Sequence, residues 1–120
     1  MVRIKRVYQP AANDDGYRVL VDRLWPRGMK KEAAKIDLWM KDIAPSDGLR
    51  KAFHHQAMKW PDFQKNYHAE LKTKKEWLAQ LKKLEKDHGT LTLLFGARDP
   101  EHNQAAIIAE ALSKKIARLP

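Results

Sequence analysis

Two short apolar runs limit what this 120-residue chain can fold into more than any other feature: Val19-Leu20-Val21 in "YRVLV", and Leu91 to Phe95, "LTLLF". A strand with one wet face alternates apolar and polar residues; consecutive β-branched and leucine side chains point both ways and need cover on both faces. By contrast "VRIKRVY" at the start alternates Val2 and Ile4 with Arg3 and Lys5, the period of a strand with one face in water. Strands separated by helical segments predict an α/β fold, here a small three-layer sandwich with a mostly parallel sheet and a helix-rich middle segment. A chain of this length holds one core, so residues 1–120 are read as a single domain.

The punctuation between the strands is specific. "NDDG" at 13–16 reads as a turn, "MKKEAAKI" as a short helix and "DLWMKDIAP" as an extended or irregular passage closed by Pro45. Ser46 stands where it would cap the helix "DGLRKAFHHQ". Pro61 suits a first helical position, and Phe63, Tyr67 and Leu71 repeat every four residues along the face that follows. "TKKE" at 73–76 has the capping-box pattern, predicting a break and a restart, with Trp77, Leu81 and Leu84 carrying the next helix to a stop at His88-Gly89. A last helix is expected from "DPEHNQAAIIAEALSKKIARL", capped by Asp99, with Pro100 in its first turn and lysines near its end.

Composition removes several function classes. There is no cysteine, which excludes disulfides, thiolate metal sites and cysteine nucleophiles and fits a reducing compartment. No stretch has the length of a signal peptide's apolar core or of a membrane span, so a soluble cytoplasmic protein without a membrane partner is expected. Twenty-four Lys+Arg against fifteen Asp+Glu give a formal charge of +9, enough to draw polyanions at low salt. That excess is spread over a mixed-sign surface, which equally describes a solvated lysine-rich face.

In open α/β sheets the ligand crevice lies beyond the carboxyl ends of the strands. "DRLWPRG" follows the first buried strand and "GARDPEHN" the last, so parallel pairing would put Arg23, Trp25, Arg27, Arg98, Asp99 and Asn103 on one rim. Lys31, Lys41, Ser46 and Arg50 are further candidates for holding a phosphate. Several have structural alternatives: ion pairs of Arg23 and Arg27 with Asp22, Asp37 or Asp42, a core lid for Trp25, helix capping for Asp99 and a structural place in the first turn for Asn103. The five histidines lack ligand spacing, and no glycine-rich phosphate loop occurs, so no metal and no cofactor are expected.

The blocks "RVLVDRLWPRG", "DLWMKDIAPSDGLRKAFHH", "FQKNYHAEL" and "LTLLFGARDPEHNQAAIIAEAL" resemble those of the YeaO-like bacterial family, domain-of-unknown-function group number 488, over nearly the whole chain. The resemblance implies that the Trp-Pro-Arg-Gly motif and the end of the last strand are family features, and it brings no activity. Longer relatives carry a Cys-His-Arg motif after that strand; this chain reads "EHNQ" there, so no thiol chemistry carries over. Two functions are consistent with the residues. One is an anion-binding module for nucleic acid or a phosphate-bearing small molecule such as a nucleotide, with Arg23, Arg27, Lys31, Lys41 and Arg50 on phosphates and Trp25 stacking. The other is a small enzyme on an anionic, nucleotide-like substrate with Asp99 as acid or base. Neither periodicity nor composition speaks to the oligomeric state.

Overall fold

In the computed structural model, which describes the backbone of residues 1–117 and the side chains of residues 1–113, the two apolar runs are neighbouring parallel strands. The sheet holds β1 (Val2–Arg6), β2 (Tyr17–Leu20), β3 (Leu38–Trp39) and β4 (Leu91–Phe95) in the order β1-β4-β2-β3, and every pairing is parallel. β4 and β2 are the central pair, and their residues are the most completely buried of the sheet. This is the α/β architecture the apolar runs require.

The two faces are covered unequally. Val19, Val21, Leu91, Leu93 and Phe95 belong to a core shared with α2 (Asp47–His54), α3 (Trp60–Leu71), α4 (Lys75–His88) and α5 (Gln104–Ala117). Phe63, Tyr67 and Leu71 bury the predicted stripe of α3, and the buried Tyr67 hydroxyl donates to the Ile43 carbonyl at 2.6 Å. On the opposite face Val7, Leu20 and Leu94 pack against Trp25, Met29, Ile36 and Trp39 from the segment that contains the single-turn helix α1 (Lys31–Ala34). The third layer is thus a loop pinned by two indoles.

Toward the amino end of the sheet that second face is ionic. The alternation of β1 does not end in open water: Lys5 pairs with Asp15 at 3.1 Å and Arg3 with Asp14 at 3.1 Å across the 3-10 turn Asn13–Asp15. Arg18 closes on Asp15 and donates to the carbonyls of Ala34 and Lys35, both at 2.9 Å. Burial alone would raise the Asp15 pKa, but the Ala12 amide, Lys5 and Arg18 outweigh it and hold the carboxyl below its usual value. The turn closes through Gly16, at φ 66°, where a Cβ would stand 2.2 Å from the Thr90 carbonyl oxygen, so no other residue fits.

Two predicted caps are corrected. The "TKKE" box does not form: α4 starts after Lys74 with no side-chain cap, and the Thr73 hydroxyl donates back to Glu70 O at 2.7 Å, closing α3 instead. Only three residues separate the two helices, and Thr73, the middle one, bonds back to the last turn of the first. Asp99 does not cap the final helix, which begins at Gln104. Its Oδ1 accepts from the amides of Glu101 at 2.9 Å and His102 at 3.1 Å, turning the chain early, and Asn103 caps α5 by accepting from Ala106 N at 3.0 Å. Ser46 caps α2 as expected, accepting from Leu49 N at 3.3 Å. The lysines expected near the end of α5 lie outside the described side chains.

Candidate functional site

Because β2 and β4 run parallel with Leu20 opposite Leu94, the segments that follow them leave the sheet side by side. Asp22 sits between them. Its carboxylate accepts from the Gly96 amide at 2.8 Å and from the side-chain amide of Gln104, and its carbonyl accepts the Trp39 indole N–H at 2.7 Å. Burial pushes its pKa up to about 6, against the opposing pull of Gly96, Gln104 and the nearby Arg50. Asp22 therefore latches the β2 exit to the turn that starts α5. Its role is invisible in sequence, since Gly96 lies 74 positions away.

The predicted residues divide into an inward and an outward set. Arg23 turns inward and donates to the carbonyls of Pro45 at 3.1 Å and Ala44 at 3.3 Å; Lys74 donates to the same Ala44 oxygen at 2.7 Å. The backbone amide of Ser46 donates to Glu70 at 2.8 Å and its hydroxyl binds the same carboxylate. Arg50 bonds Asp47 at 3.0 Å, while its buried Nε has no hydrogen-bond partner. Asn103 is 2% exposed and spends its amide on Asp99 O at 3.0 Å as well as on the cap. Apart from Arg50, whose bond to Asp47 stays within α2, these side chains hold the loops in place.

Trp25, Arg27, Lys31, Lys41 and Arg98 reach the surface. The Trp25 indole N–H is fixed on Met29 O at 2.8 Å, and its ring meets Trp39 at a centroid distance of 5.5 Å and 67°. Lys41 Nζ lies 4.8 Å from the Trp39 ring centroid. On the other side of the motif the Arg27 carbonyl accepts the Tyr8 hydroxyl at 2.9 Å, and Arg6 lies over the Tyr8 ring at 5.1 Å while donating to Ala97 O at 2.9 Å, one residue before Arg98. The carboxyl ends of all four strands are thereby joined in one arc of cations and aromatic rings: Arg98, Arg6, Tyr8, Arg27, Trp25, Trp39, Lys41. No described side chain pairs with the guanidinium of Arg27 or Arg98, and Tyr8 and Leu24 are among the exposed large apolar residues, at 41% and 58%. Arg6, Tyr8 and Trp39 escaped the sequence reading; reading the ends of the first and third strands as closely as that of "RVLV" would have found them.

The family model described as "Inactive DUF488-N3 subclade" matches residues 1–119. The chain belongs to this DUF488 subclade. Among similar proteins of the family, the uncharacterized protein YeaO of Escherichia coli K12 is 44% identical over 111 residues, covering 92% of this chain and 96% of that one. Uncharacterized proteins of Mycobacterium bovis and of Mycobacterium tuberculosis H37Rv are each 39% identical over 112 residues, covering 93% of both chains. No solved structure matches. Two hollows in this DUF488 fold bear on the site. One of about 440 Å³ lies at the amino end of the sheet beside Met1 and Gly89, where the Met1 amine is already paired with Glu85 at 2.8 Å, and it is remote from the arc. The other, about 170 Å³, adjoins the arc at Trp39 and Lys41.

One further pair stands at the end of β4. Asp99 Oδ2 is 2.9 Å from His102 Nδ1, and the His102 ring lies 4.9 Å from that of Trp60. The amides of Glu101 and His102 hold the Asp99 carboxyl below its usual pKa, so it orients the imidazole as a carboxylate. Among the described residues there is no cluster of three or more metal-ligating carboxylate or histidine side chains, and no helix is long and apolar enough to cross a membrane.

Proposed function

We propose that this protein is an anion-binding module for nucleic acid or nucleotides, and that the arc along the carboxyl edge of the sheet is its contact surface. In this reading Arg27, Lys31, Lys41, Arg98 and Arg6 meet phosphates, while Trp25 and Tyr8 offer ring surface to bases. Arg23, Ser46 and Asn103 serve it by bracing the loops that present the arc. The observation that carries the reading is that the guanidinium groups of Arg27 and Arg98, which no described side chain pairs, share one edge with part-exposed aromatic rings. Arg18 and Arg23, by contrast, spend their guanidinium groups on bonds inside the fold. The test is tryptophan fluorescence during titration with single-stranded DNA, duplex DNA, RNA and mononucleotides. Polymer affinity should fall steeply between about 50 and 200 mM salt as counterions are released. A flat salt profile or no binding overturns the reading.

A second reading is a small enzyme acting on an anionic, nucleotide-like substrate. It has one observation in its favour, the Asp99–His102 pair, in which the carboxylate fixes one ring nitrogen and leaves the other to move a proton. The description of the subclade as inactive stands against it. Product formation from a nucleotide panel, followed by NMR, would support it if Asp99→Asn abolished turnover while binding persisted; full turnover in that variant removes Asp99 from the chemistry.

A further inference from the structure

We propose that the hollow beside β3 is a seat for one heteroaromatic base of the anionic ligand, an inference that rests on the module reading above. β3 pairs on one side only, with β2, and the hollow opens where that edge faces α4. Two indoles line it: Trp39, oriented by its hydrogen bond to Asp22 O, and Trp77 from the first turn of α4. Both are part-buried and held against the two cores, so their ring positions are set before a ligand arrives.

The polar groups decide the ligand class. Asp42 accepts and the Gln80 amide both donates and accepts, the mixture that the edge of a base requires. A bare phosphate needs donors alone and would be repelled by the Asp42 carboxylate, so phosphate belongs on the open arc and the base in the hollow. Size agrees. At about 170 Å³ the space falls short of the roughly 300 Å³ at which pockets for whole drug-sized ligands begin, so it takes one ring system and leaves sugar and phosphate outside. The Lys41 ammonium over the Trp39 ring is weakly held at an exposed position. An entering base replaces it on the ring, and Lys41 then turns to the phosphate that follows the base.

The experiment follows the indole N–H resonances of the intact chain by NMR, assigned through Trp39→Phe and Trp77→Phe, while ribose 5-phosphate, nucleosides and the matching mononucleotides are added separately. Mononucleotides, and nucleosides more weakly, should shift the Trp39 and Trp77 signals; ribose 5-phosphate should not. Gln80→Ala, a change at an exposed position, should weaken mononucleotide binding by up to about tenfold, the scale of one lost hydrogen bond, and leave ribose 5-phosphate binding unchanged. If mononucleotide and ribose 5-phosphate bind equally, with Trp39 and Trp77 unmoved, the base seat is wrong while the anion-binding surface stands. If neither binds, and nucleic acid does not either, both are wrong.

Discussion

Asp22 carries a charge that the fold could do without. An asparagine would still accept the Gly96 N–H, and its own amide would donate to Gln104 after that side chain turns over, with no ion to desolvate. The carboxyl's folded pKa, about 6, lies above the ordinary 3.8, so the folded state holds the proton more tightly than the unfolded chain does. Its contribution is therefore fully present below about pH 4 and is lost as pH rises through about 6. The shift corresponds to about 3 kcal/mol at most. Asp22→Asn should unfold at higher urea concentration than the wild type at pH 8, by about 1–3 kcal/mol, and the difference should vanish near pH 4. A pH-independent difference would remove Asp22 as its source. In sequence this residue reads only as an acid beside Arg23, because both groups that make it a latch come from the far side of β4.

Among the elements, the caps separate what near neighbours decide from what chain geometry decides. Ser46 is legible because the residues on either side of it, Pro45 and Asp47, already fix where α2 starts. "TKKE" has the same local chemistry and fails, since the path from α3 to α4 places Lys74, not Thr73, at the start of the second helix. Asn103 shows the converse, a cap hidden behind a more conspicuous aspartate. Asn103→Ala should cost about 1–2 kcal/mol through the lost cap and the lost bond to Asp99 O, whereas Glu76→Ala should leave the denaturation midpoint within about 0.5 kcal/mol of wild type. Equal losses from the two would restore the capping box. In sequence the β3 region reads as an extended or irregular passage, and its two-residue length explains why: a strand that short has no period to detect.

Across the whole molecule, a charge of +9 draws polyanions whatever the fold, so total charge cannot locate a site. Individual arginines can. Arg27→Ser and Arg98→Ser should each lower the salt slope of nucleic-acid binding by about one and leave stability unchanged, because neither guanidinium braces the fold. Arg23→Ser should do the reverse, lowering the unfolding temperature by freeing the Ala44 and Pro45 carbonyls while the slope stays put. Matching slopes for Arg23 and Arg27 variants would show that the division into inward and outward sets is wrong. The α/β class, the two central strands and the helical stripe of Phe63, Tyr67 and Leu71 were all legible in the chain, because periodicity and turn residues act between positions a few steps apart. Arg23 and Arg27 have the same charge in the same motif, and nothing within "DRLWPRG" distinguishes them. Their fates are set by Ala44 and Pro45 on one side and Tyr8 on the other, some twenty positions away in either direction. Such partners are chosen by packing, which brings distant segments together only once the sheet has closed.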